Sequence, residues 1–256
     1  MRHPNIRTKR KVARGLRLFA KKLGTHPYPL DYTSKLTLHK ANSFLIEMMF
    51  NQNIDYKQAE KSRDLLCDLL GEPLWKNIED LETRRLRGFL KYVNGGKALH
   101  KYYRKYTLKL KEAASLMLEK YGGDPRKIWN NTKDISNVRA KLDEIPMIGP
   151  ALANYAILCL ARDYGLIGGK SSLRSIGVKP DVHLTRVFKR SGLVEKNATM
   201  KNINDIAKIL AKDFPGILDP PAWRIGREWC RPRKPLCDAD PPCPIKDVCP
   251  KIIRAS

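Results

Sequence analysis

No apolar run in this 256-residue sequence approaches the roughly 18 residues that a membrane-spanning helix needs, so an integral helical membrane protein is excluded. A secretory leader is missing too: the basic N-terminus has an apolar stretch around Leu16 to Leu23, but Arg17, Lys21 and Lys22 interrupt it. An intracellular protein is therefore expected. Internal repeats and low-complexity blocks are lacking, and strand-like alternation is scarce, which argues against solenoids and β-architectures. Acidic residues are few, 26 against 50 Lys and Arg, and the resulting net charge of +24 exceeds what solubility alone would favour. A polyanionic partner is the simplest explanation, and nucleic acid fits better than a membrane.

What is present reads as helix after helix. Hydrophobic residues make up 42% of the chain, enough for a real core, and Ala41, Phe44, Leu45, Met48 and Met49 recur on one helical face. Asp55 with Gln58 resembles a capping box that opens the next helix, which Gly71 and Pro73 stop near Leu70. Further helices are expected near residues 79–92, 98–120, 136–144, 151–163, 182–190 and 202–213. Gly165 to Pro180 reads as a boundary, and the proline-rich stretch after Phe214 leads into a cysteine cluster.

Three segments carry chemistry. In Leu142-Asp143-Glu144-Ile145-Pro146-Met147-Ile148-Gly149-Pro150-Ala151 a helix stops and restarts at a proline suited to a first helical turn. Such a turn aims backbone amides and the positive end of a helix at a phosphate, although a plain helix-helix turn has the same look. Asp181, in Pro180-Asp181-Val182-His183, opens an amphipathic helix, where a simple N-cap is the competing reading. Cys230, Cys237, Cys243 and Cys249, with no histidine nearby, are placed to converge on one metal centre; the spacing alone admits zinc as well as an iron-sulfur cluster. Cys67 and Cys159 lie in apolar helical stretches and read as core.

Hairpin and aspartate together resemble the helix-hairpin-helix DNA glycosylase superfamily, in which a Leu-Pro-Gly-Val-Gly-like turn precedes a Val-Asp-x-His-like segment. The likeness implies that Ile148, Gly149 and Ala151 belong to a DNA-contacting hairpin and that Asp181 is the carboxylate that stabilises a cationic sugar as the base departs. Met147 stands where that family has its first glycine. The cysteine loop looks like that of endonuclease III and its adenine-glycosylase relatives, which implies a [4Fe-4S] cluster on Cys230, Cys237, Cys243 and Cys249, with Arg231, Arg233 and Lys234 on DNA phosphates. The five residues from Asp238 to Pro242 make a longer spacer than that family has, at little cost in closure entropy.

A second carboxylate, Glu47, borders the apolar helix face, with Gln52 near that helix's end. A snorkelling surface glutamate is the plain alternative. The stretch is nevertheless similar to that of mismatch adenine and thymine glycosylases. This implies that Glu47 protonates or hydrogen-bonds the leaving base, its pKa raised by a half-apolar wall, and that Gln52 fills the gap left by the flipped nucleotide.

Bifunctional members carry a nucleophilic lysine two residues after the last hairpin glycine, where this chain has Ala151. The expectation is thus an all-α protein of two lobes, residues 37–172 and residues 1–36 with 173–256. It acts as a monomer and a monofunctional glycosylase on double-stranded DNA holding a damaged or mismatched base. No further domain is expected after Ser256, and with it no standard oxidised-guanine mismatch role. Two alternatives stay open: a bifunctional enzyme using another amine such as Lys170 or Lys179, and a catalytically silent DNA-binding module. For residues 1–36, DNA contact and a solvated tail are both compatible with the composition.

Overall fold

The structure is a computed structural model that describes residues 4–24, 36–52, 54, 56–92, 94–130, 132, 134–167 and 172–252. Asp55, with its expected capping box, and Lys170 lie outside the described residues. Among those described, the regular structure is helical, with one isolated β-bridge between Asn94 and Lys97. Contacts divide the chain into two compact units, residues 34–156 and residues 1–33 with 157–256, where the sequence pattern drew the limits at 36/37 and 172/173.

The 34–156 unit is built around α2 (Leu38–Phe50). Its sequence marks one apolar face, yet Asn42, Ile46 and Phe50 are buried as well, so the helix is enclosed on nearly all sides. Thr37 caps it, accepting from Lys40 N at 3.3 Å. The unit also holds α3 (Tyr56–Leu70), packed on α2, α4 (Leu74–Asp80) and α5 (Thr83–Tyr92), both packed on α6 (Tyr103–Tyr121), and α7 (Ile135–Asp143), and α8 (Pro150–Arg162) begins in it. Buried Asn42 ties α2 to its neighbours: it donates to Glu72 Oε2 at 2.8 Å and accepts from Trp75 Nε1 at 2.6 Å.

The single helix expected over 79–92 is instead split between α4 and α5, with Leu81 extended at ψ 128°. A continuous helix would set Glu82 in the i+4 row between buried Ile78 and Leu86. The break leaves Glu82 exposed.

The second unit holds α1 (Ile6–Lys22), the rest of α8, α9 (Val182–Arg190), α10 (Met200–Leu210) and α11 (Asp219–Glu228). Helix α11 is absent from the sequence expectation, which has only a proline-rich stretch leading into the cysteine cluster there. Pro220 and Pro221 occupy its first turn, where no intrahelical N–H bond is lost. α9 and α11 approach so closely that a Cβ at Gly226 would stand 2.6 Å from the His183 carbonyl oxygen, which requires glycine there. No helix among the described residues is long and apolar enough to cross a membrane.

Candidate functional site

The hairpin forms as a tight turn between α7 and α8. Ile145 N–H reaches back to Leu142 O at 3.1 Å, Ile148 N–H to Ile145 O at 2.9 Å, and the Gly149 carbonyl accepts Leu152 N–H and Ala153 N–H at 2.9 Å each. Met147, replacing the glycine of the motif, takes the left-handed backbone at φ 74°. That conformation costs an L-residue about 1–3 kcal/mol, so the turn keeps glycine's geometry without glycine. Its carbonyl accepts the Gln52 side-chain amide. Gly149 and Pro150 are exposed and Ala151 half-buried. Ile148 is 1% exposed, which leaves its backbone, and not its side chain, for contact with a ligand.

Gln52 is held from its other side as well. Tyr102 N–H donates to His100 Nδ1 at 3.1 Å, which puts the ring proton of the neutral imidazole on Nε2, 2.7 Å from the Gln52 carbonyl. Burial lowers the pKa of His100, opposed by that bond to Gln52, and the ring stacks on Tyr106 with centroids 4.0 Å apart. Gln52 thus links the end of α2 to the hairpin turn.

Glu47, one turn before the end of α2, pairs with Arg63 of α3; their side chains are 21% and 22% exposed. Burial raises the Glu47 pKa above the usual carboxylate value and outweighs the opposing charge and hydrogen bond of Arg63. Arg63 carries no signal in the linear sequence, since it lies 16 residues away on the next helix.

Asp181 caps α9. Its Oδ1 accepts from His183 N at 2.9 Å and from Leu184 N at 2.8 Å, and the cap does not use Oδ2. The extended approach to it is pinned by the backbone: Ile176 O accepts Gly216 N–H at 2.9 Å, Val178 N–H donates to Asn204 Oδ1 at 3.0 Å, and Lys179 N–H donates to Asp219. Asp219, 5% exposed in the first turn of α11, has its carboxyl pushed up to about 7, foremost by burial and further by the Asp181 charge. Burial also lowers the pKa of Lys179, against the attraction of Asp181 and Asp219. Neither Asp219 nor Asn204 belongs to any motif, and their part in the site was missed.

From α9 the site reaches the cysteine loop. Arg186 donates through Nε to Cys230 O at 2.6 Å and through Nη2 to Gly226 O at 2.7 Å. Arg190 points at the Cys230 sulfur, 3.7 Å away, and bonds the Arg231 carbonyl. Cys230, Cys237, Cys243 and Cys249 line one open pocket, with Val187, Ile225 and Ile245 as apolar wall. Burial raises the thiol pKa of Cys230 and Cys249 and pushes Cys243 up to about 11. Among the described residues no group of three or more His, Cys, Asp or Glu side chains is gathered to hold a metal ion. The extra spacer is anchored, since Trp229 Nε1 donates to Pro241 O at 2.8 Å. Arg231, Arg233 and Lys234 are exposed. Cys67 and Cys159 are buried at 4% and 6% exposure.

No family model matches the chain. In sequence it is similar to endonuclease III of Thermotoga maritima, 24% identical over 147 residues, which is 57% of each protein. The chain thus matches little more than half the length of that relative. Solved structures with the same fold include a non-covalent endonuclease III–DNA complex (18% identity, 95% of both chains, TM-score 0.65). A thermostable thymine-DNA glycosylase is similar over 95% of this chain and 96% of its own, at 18% identity and a TM-score of 0.61. The all-helical fold expected from the motifs is thereby borne out, and so is the resemblance to the helix-hairpin-helix glycosylase superfamily.

Proposed function

We propose that this chain, with the endonuclease III fold as premise, is a monofunctional DNA glycosylase that hydrolyses the N-glycosidic bond of a damaged or mismatched base flipped from a duplex. The observation that carries the reading is Asp181: a carboxylate fixed through one oxygen at the start of α9, after a helix-hairpin-helix turn, with the other oxygen not used by the cap. In that setting its charge stabilises the oxocarbenium-like sugar and orients water. Glu47 serves the departing base, its carboxyl oriented by Arg63. Gly149, Ala151, Gln52, Arg231, Arg233 and Lys234 contact the DNA backbone or the gap, and Ile148 does so through its main chain. The protein acts as a monomer inside the cell.

The four cysteines that line the pocket fit a [4Fe-4S] cluster in donor type, with Cys230, Cys237, Cys243 and Cys249 as ligands. When bound, the cluster supplies a cross-link that fixes the loop presenting Arg231, Arg233 and Lys234. Protein purified anaerobically with iron available should be brown and hold about four irons per chain. Stoichiometric zinc would refute the assignment.

A second reading, a glycosylase with lyase activity, is favoured by one feature: the Lys179 amine lies within the field of Asp181 and Asp219 and has a lowered pKa. Duplexes that each contain one modified base separate the two. The monofunctional reading expects strand breaks at the modified base only after alkali, and no covalent trapping by borohydride. Breaks without alkali, together with trapping that Lys179→Gln abolishes, would establish the second reading. Absence of base release across all the duplexes would refute both.

A further inference from the structure

Helix α1 is neither a solvated tail nor part of any motif discussed above. Its inner residues Val12, Ala13, Leu16 and Ala20 are fully buried. A Cβ at Gly15 would stand 3.1 Å from Ile245 and from Val248 of the cysteine loop, and Phe19 meets Trp229 edge-on at 6.0 Å. The helix is therefore anchored to the body of its unit. Its 17 residues hold eight Lys and Arg and no acid, a third of the chain's net charge of +24.

Arg7, Arg10, Lys11, Arg14, Arg17 and Lys21 are all exposed. Their spacing puts them on one face of the helix, a stretch about 21 Å long from Arg7 to Lys21 with a cation on every turn. Among the described residues none of the six makes an ion pair. Stacking like charges this way costs stability unless something neutralises them. We propose that the outer face of α1 is a second duplex-DNA surface, which binds the phosphate backbone without regard to sequence and apart from the residues assigned to the lesion site. The charge pattern selects this occupant. A basic amphipathic helix that lies on a lipid surface must insert a continuous apolar side, and here Val12, Ala13, Leu16 and Ala20 are already packed into the protein, which leaves only isolated apolar residues such as Ile6 and Leu18 exposed. A duplex needs only a row of cations, because it presents one negative charge per about 1.7 Å of axis. The inference rests on the glycosylase reading only in naming DNA as the polyanion.

The test uses the full chain and undamaged duplex, so it does not depend on base release. In R10Q/R14Q/R17Q, with all three positions exposed and the buried face intact, the slope of log affinity against log salt should be less steep by about 2–3, and affinity at low salt should fall at least tenfold. Single-turnover base release at saturating enzyme should stay unchanged. A slope equal to that of the unmodified protein would overturn the proposal. So would binding of unmodified protein to phosphatidylserine vesicles in preference to duplex at equal salt, or loss of base release in the variant at saturation. If unmodified protein releases no base yet the slope changes as stated, the glycosylase reading fails and the α1 surface stands.

Discussion

Glu47 and Asp181, one in each compact unit, are held in opposite ways. Glu47 is oriented by one side chain, Arg63, which lies on a neighbouring helix and is itself shared with Asp64 at 2.8 Å. Asp181 is held by main-chain amides: two of its own helix fix Oδ1, and the residues before it are pinned through their backbone groups to the Gly216 amide and to the side chains of Asn204 and Asp219. A carboxylate held by an ion pair can be tuned by one substitution, and its proton affinity follows its partner's charge. One held by a helix start and a fixed approach keeps its place as long as that approach stays pinned. The first arrangement suits a group that exchanges a proton with a base. The second suits a group that must stay anionic against a developing cation.

This contrast breaks most visibly at Asp219. Removing its carboxylate in Asp219→Ala leaves the Lys179 N–H buried without an acceptor and loosens the approach to Asp181. Single-turnover base release should fall about tenfold with duplex affinity within twofold, since misplacement of a reacting group costs rate and not binding. Asp219→Asn keeps an acceptor oxygen and should recover most of the rate. Equal rates in all three proteins would show that the pinned approach is irrelevant to Asp181.

A smaller effect is expected at Arg63. Arg63→Met removes the cation that lowers the Glu47 pKa, while burial and the nearby Glu60 and Asp64 continue to raise it. The Glu47 pKa then rises further. If protonated Glu47 assists the base, the fall of single-turnover rate at the alkaline side moves to higher pH, and the acid-side rates change by no more than a few-fold. A shift to lower pH would contradict the acid role.

The parts of this site that were legible in the sequence are those whose chemistry is local in the chain. Pro180-Asp181-Val182-His183 announces a cap, Gly149-Pro150 announces a helix start, and four cysteines within 20 residues announce that they line one pocket. Arg63, Asn204 and Asp219 were illegible because each meets its partner across the fold and looks like an ordinary polar residue of a helix. Helix α11 was hidden by its own prolines, which read as a proline-rich stretch until the first turn that tolerates them is seen. Met147 shows another limit of pattern reading: the residue departs from the motif, yet its backbone takes the left-handed conformation a glycine would have supplied.

The central claim, that Asp181 is the group on which base release depends, is tested most directly by Asp181→Asn. The amide keeps an oxygen to cap α9 but removes the charge facing the sugar. Single-turnover base release from a duplex that the unmodified protein processes should drop by roughly a hundredfold or more, with duplex binding retained. Base release by Asp181→Asn at a rate close to that of the unmodified protein would contradict the account.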